Sequence, residues 1–64
     1  MKRRDLIRYL KMNGCYFIRE GGNHSIYSRP NARRSIGVPR HPEINNATAR
    51  AICKELEIPI PKKR

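Results

Sequence analysis

The stretch CYFIREGGNHSIYS, residues 15–28, decides the fold. Cys15 to Arg19 is rich in β-formers, Gly21-Gly22-Asn23 has the chemistry of a tight reversal, and Ser25 to Ser28 resumes β character, so the stretch predicts a hairpin. Arg29-Pro30-Asn31-Ala32-Arg33 then supplies a second turn, because Pro30 fixes φ and Asn31 favours a turn conformation. Arg34-Ser35-Ile36-Gly37-Val38 alternates as a third strand, which Pro39 and Pro42 end.

A helix is expected on each side of these strands. Between Arg4 and Met12 the apolar residues Leu6, Ile7 and Leu10 fall at helical spacing, with Arg3, Arg4, Arg8 and Lys11 among the remaining positions, and Asn13-Gly14 offers residues tolerant of left-handed dihedrals just past the helix end. Asn45 or Asn46 can cap a second helix, whose Ala49, Ile52, Cys53 and Leu56 lie at i, i+3, i+4 and i+7. The fold class is therefore α+β: helix, three-stranded antiparallel sheet, helix, with both helices on one sheet face to bury their apolar stripes. Ile26 is expected to point into that core and the other face is left open. Residues 1–64 form a single domain, and residues 58–64, with Pro59, Pro61 and three terminal cations, are expected to fray as a basic tail.

A chain of 64 residues with 38% hydrophobic residues, one Phe and no Trp has one thin core and no room for a deep cofactor cavity. No cofactor is expected. Fifteen Lys and Arg against five Asp and Glu give a formal charge of +10, which calls for a polyanion or an acidic partner. Ten of the fifteen are Arg, whose planar fork suits phosphate, so the charge leans towards nucleic acid. The bland alternative is a solvated surface. No apolar run reaches the length of a membrane span and no signal-peptide core follows the basic start, so the chain reads as cytoplasmic, without a membrane partner. Cys15 and Cys53 sit in core-like segments and read as free thiols; with His24 and His41 they match no zinc-ligand spacing, so no metal site is expected.

The hairpin histidine, His24, is the candidate for chemistry. RNA can be cut without a metal when a base takes the proton of a ribose 2′-hydroxyl, which then attacks the adjacent phosphorus and leaves a 2′,3′-cyclic phosphate. Imidazole titrates near neutrality and can start that step. Arg19 in the hairpin, with Arg29, Arg33 and Arg34 around the second turn, are the cations expected to meet phosphate. Gly21 and Gly22 carry no side chains, so an RNA backbone can approach the hairpin closely; Gly22 and Asn23 are expected to contact RNA, and Tyr27 either stacks on a base or packs in the sheet. Glu20 is either a second acid or base or a turn residue, and His41 is a second candidate or an exposed loop residue. Alternation places His24 on the same face as Ile26, so a bulge at the glycines, or a position at the fraying strand end, is expected to free it from the core.

In this order of elements, Gly22-Asn23-His24 followed by Ile26-Tyr27, Val38-Pro39-Arg40-His41-Pro42 after the third strand, and Thr48-Ala49-Arg50-Ala51-Ile52 with Leu56 and Ile58-Pro59 resemble the HicA toxin family, also called YcfA-like proteins. The match covers nearly the whole chain. The resemblance implies a fold like the double-stranded-RNA-binding domain and an endoribonuclease, an mRNA interferase of a type II toxin–antitoxin system, that works without metal. It also implies His24 as the catalytic residue, mRNA or other single-stranded RNA as substrate, and a HicB-type antitoxin that covers the site; the free toxin is expected to be a monomer. The family often has Ser where this chain has Asn23, and the resemblance does not assign the general acid.

A non-catalytic RNA-binding module is the alternative. A duplex binder of this fold would be expected to place lysines at the start of the last helix, where Asn45-Asn46-Ala47-Thr48-Ala49 has none. A third possibility is a structural protein that binds by charge alone, which nothing in the composition excludes.

Overall fold

A computed structural model describes residues 1–61. Its order is α1 (Arg3–Met12), β1 (Tyr16–Gly21), β2 (His24–Ser28), β3 (Ile36–Pro39) and α2 (Asn46–Glu55). The strands form one antiparallel sheet in the order β1-β2-β3. Leu6 and Leu10 of α1, with Ala49, Ile52 and Cys53 of α2 and Leu56 just past its end, are buried with Tyr27 and Val38 of the sheet, so both helices cover one face. A fully buried side chain of this kind contributes roughly 1.5–3 kcal/mol.

Both helices stop in the same way. After α1, the Gly14 N–H donates to the Lys11 carbonyl at 3.1 Å and the Cys15 N–H to Leu10 at 2.9 Å, with Gly14 at φ 83°. After α2, the Glu57 N–H donates to Lys54 at 3.1 Å and the Ile58 N–H to Cys53 at 3.0 Å. This is the Schellman arrangement, which needs one left-handed residue; here it is Glu57, at φ 60°. At the other end of α2, Asn45 is the cap, its Oδ1 accepting from the Thr48 N–H at 2.8 Å.

Two expectations need correction. Tyr27, not Ile26, points into the core: Tyr27 is 6% exposed and meets Phe17 edge to face at a centroid distance of 5.7 Å, whereas Ile26 is half-buried on the open face. Packing the larger aromatic under the helices removes more apolar surface from water. The second concerns residues 58–64. Ile58 is buried with its N–H bonded, and the Tyr9 hydroxyl donates to the Pro59 carbonyl at 2.6 Å, so the chain is held at both positions. Residues 62–64 lie outside the described residues.

The hairpin is not a plain ladder. Phe17 pairs with Tyr27 and Arg19 with Ile26, leaving Ile18 as an extra residue in β1. From Arg19 onward the pairs run Glu20 with Ser25 and Gly21 with His24. Gly22-Asn23 closes the turn, and only Gly22 has a positive φ, 64°, as a two-residue turn of the II′ type requires at its first position.

Candidate active site on the open sheet face

Because Tyr27 and Ser25 face the helices, regular alternation sends Ile26 and His24 to the open face. No bulge at the glycines is needed. His24 is exposed at the end of β2 nearest the hairpin turn, and among the described residues neither of its nitrogens makes a hydrogen bond. Both are free to serve a ligand.

Two glycines on neighbouring strands bracket this histidine. On β1, directly across, is Gly21; a Cβ there would lie 3.2 Å from Arg19 Nη1 and 3.2 Å from two side-chain carbons of Ile26. The Arg19 guanidinium thus lies over bare backbone opposite His24, and among the described residues it makes no ion pair. On β3, diagonally across, is Gly37; a Cβ there would meet His24 Cβ at 3.0 Å, Cγ at 3.2 Å and Cδ2 at 3.3 Å. Imidazole and guanidinium occupy one face at one end of the sheet.

The opposite face of that end carries a polar brace. Arg3 of α1 donates through Nε to the Pro39 carbonyl at 2.8 Å and through Nη2 to Ser25 Oγ at 2.7 Å. Ser25 Oγ donates in turn to the Glu20 carboxylate, 3.2 Å from Oε2, and Arg40 Nη1 lies 3.1 Å from Glu20 Oε1. The Arg40 N–H also donates to the Asn23 carbonyl at 3.2 Å, extending the contact between the β3 end and the turn. Glu20 is therefore held on the helix side by Ser25 and Arg40, away from His24.

The other expected cations stand elsewhere. The loop between β2 and β3 leaves the sheet at Ser28, four residue steps of about 3.3 Å from His24. Arg29, half-buried there, donates through Nε to the Leu56 carbonyl and through Nη2 to the Glu57 carbonyl at 2.9 Å, so it closes the end of α2. Arg34 pairs with Glu55 at 3.2 Å, and Arg33 is exposed on the same loop. Tyr27 is buried against Phe17 and unavailable for stacking. The aromatic that the pairing assigns to the open face is Tyr16, opposite Ser28 and 48% exposed. Sequence reasoning missed Tyr16, Gly37 and Arg3 because the Ile18 bulge and the β2–β3 register leave no local mark.

His41 is exposed beside a hollow of about 130 Å³ that it lines with Pro39, Glu43, Ile44, Asn45 and Thr48. That is below the roughly 300 Å³ at which ligand pockets begin, so the open face offers the better site. Among the described residues no helix is long and apolar enough to cross a membrane.

The family model described as the HicA toxin of bacterial toxin–antitoxin systems matches residues 3–58. No curated protein and no solved structure matches the chain.

Proposed function

The chain belongs to the HicA toxin family of toxin–antitoxin systems, and from that premise we propose that it is an endoribonuclease acting on mRNA or other single-stranded RNA, with His24 as the general base. The observation that carries this is the pairing of an unengaged imidazole with the Arg19 guanidinium on one open face, each lying over a glycine. His24 takes the proton of a ribose 2′-hydroxyl, the oxygen attacks the adjacent phosphorus, and the bond to the 5′-oxygen breaks as that oxygen takes a proton from water, giving a 2′,3′-cyclic phosphate and a 5′-hydroxyl. Arg19 neutralises the charge that grows on the phosphoryl oxygens. Gly22 and Asn23 at the exposed turn let the RNA backbone approach, while Arg33 and Arg34 at the far end of the sheet add long-range attraction.

This chemistry needs no metal. A free monomer presents the face to RNA, and a HicB-type antitoxin neutralises the toxin by covering it. The test is incubation of the purified protein and His24→Ala with a long single-stranded RNA in excess EDTA, followed by analysis of the product ends. Cyclic-phosphate fragments from the wild type alone are expected. Intact RNA in both samples, with a salt-sensitive mobility shift, would reassign the chain as a binding module.

A further inference from the structure

We propose that Gly37 is a positioning residue for His24, acting through the empty space above its own backbone. The inference rests on the proposed cleavage and adds a residue to it. In an antiparallel pair a side chain reaches the diagonal neighbour on the next strand, and an aromatic ring can cover a glycine there and shield its backbone. The β2–β3 pairing sets His24 opposite Pro39 and Ile26 opposite Gly37, so Gly37 is that diagonal neighbour. The atoms of His24 nearest a Cβ at Gly37 are Cβ, Cγ and Cδ2, at 3.0, 3.2 and 3.3 Å. The imidazole therefore rests on β3 by its carbon edge.

Glycine in a short strand weakens it, so the residue needs a local reason. A turn requirement does not supply it: Gly14 and Gly22 have positive φ, whereas Gly37 does not, and any residue can take its backbone conformation. What another residue cannot do is share the space with the ring. Alanine at this position would force the imidazole and the strand carrying it to shift by a few tenths of an ångström or more. Such a shift moves the base relative to a 2′-hydroxyl held by Arg19 and the turn, and small misplacements of a reacting group are costly to rate.

The experiment compares wild type, Gly37→Ala and His24→Ala by two readouts. The first is the proton spectrum: a seated ring displaces a Gly37 Hα by its ring current in the wild type, and the displacement disappears in His24→Ala. The second is steady-state cleavage of a short RNA, for which Gly37→Ala should lower kcat by about 10- to 100-fold while KM stays within about twofold, the mark of lost transition-state stabilisation. Wild-type kcat in a folded Gly37→Ala protein overturns the proposal. So does a Gly37 Hα unmoved between wild type and His24→Ala, a result that stands even if Gly37→Ala fails to fold. If the wild type leaves the RNA intact, the proposed activity fails and the catalytic role of Gly37 with it, whereas the ring-current shift still reads the seat by itself.

Discussion

Arg29 Nη2 lies 2.9 Å from the carbonyl oxygen of Glu57, and its Nε donates to the neighbouring Leu56 carbonyl. The last carbonyls of a helix have no partner within it, and a cation there also meets the negative end of the helix dipole. Arg29→Ala should destabilise the protein by about 1–3 kcal/mol, since the lost hydrogen bonds are charge-assisted. RNA affinity of the folded fraction should barely change. Chemical denaturation and a binding titration on the same sample check this; a large loss of affinity at unchanged stability would return Arg29 to the RNA.

The Glu57 backbone makes the opposite prediction. It holds the left-handed position that Gly14 holds after α1, at φ 60° against 83°. A residue with a Cβ is strained there by about 1–2 kcal/mol, so Glu57→Gly should stabilise the fold by about 1 kcal/mol despite the greater freedom it gives the unfolded chain. For a domain of this size that is a rise in Tm of about 4–8 °C. A fall in Tm would mean that the carboxylate, not the backbone, matters at this position.

Tyr27 separates packing from RNA stacking. Its ring is buried against Phe17, and its hydroxyl makes no hydrogen bond among the described residues. Tyr27→Phe should cost less than about 1 kcal/mol and leave RNA affinity intact. Tyr27→Ala should cost about 3–5 kcal/mol, enough to unfold much of a domain this small. Loss of affinity in a stable Tyr27→Phe protein would contradict the buried placement.

Burial pushes both thiols above their ordinary value of 9.0; the Arg29 charge partly opposes this at Cys15, and the neighbouring Cys15 adds to it at Cys53. A folded-state value raised above the unfolded one means that the stability from the protonated thiols is complete below pH 9.0 and is lost as the pH rises through the folded values. Native protein at neutral pH should resist a thiol reagent that labels both cysteines in urea, and Tm should fall on the alkaline side. Cys53→Ser, which places a hydroxyl at a fully buried position, should cost about 1–3 kcal/mol.

The helical stripes were legible because each is written several times over: Ala49, Ile52, Cys53 and Leu56 repeat the same periodicity, and all four are buried. The hairpin was legible from its glycines. Which side of β2 faces inward was not, because Ile26 and Tyr27 are adjacent and both apolar, so alternation fits either assignment. Only the volume under the helices favours the larger ring. Arg29 looked like the other exposed cations because its partners are backbone carbonyls 27 and 28 positions away. Gly37 has no signature at all until strand pairing brings His24 beside it.

The extra residue in β1 works as a parity switch. Odd-numbered neighbours along a regular strand share a face, yet Phe17 sits with Tyr27 on the helix side and Arg19 with Ile26 on the other. Ile18 is what changes the count between them. Deleting that one residue would make Phe17 and Arg19 consecutive, and a regular ladder would keep Phe17 with Tyr27 on the helix side and Arg19 with Ile26 on the open face. Straightening the strand with Ile18 kept would instead put Phe17 and Arg19 on one face, so that either the aromatic loses its core partner or the guanidinium turns away from the imidazole. At this point the chemistry of the face depends on the bulge that absorbs the extra residue, independently of which side chain fills position 18.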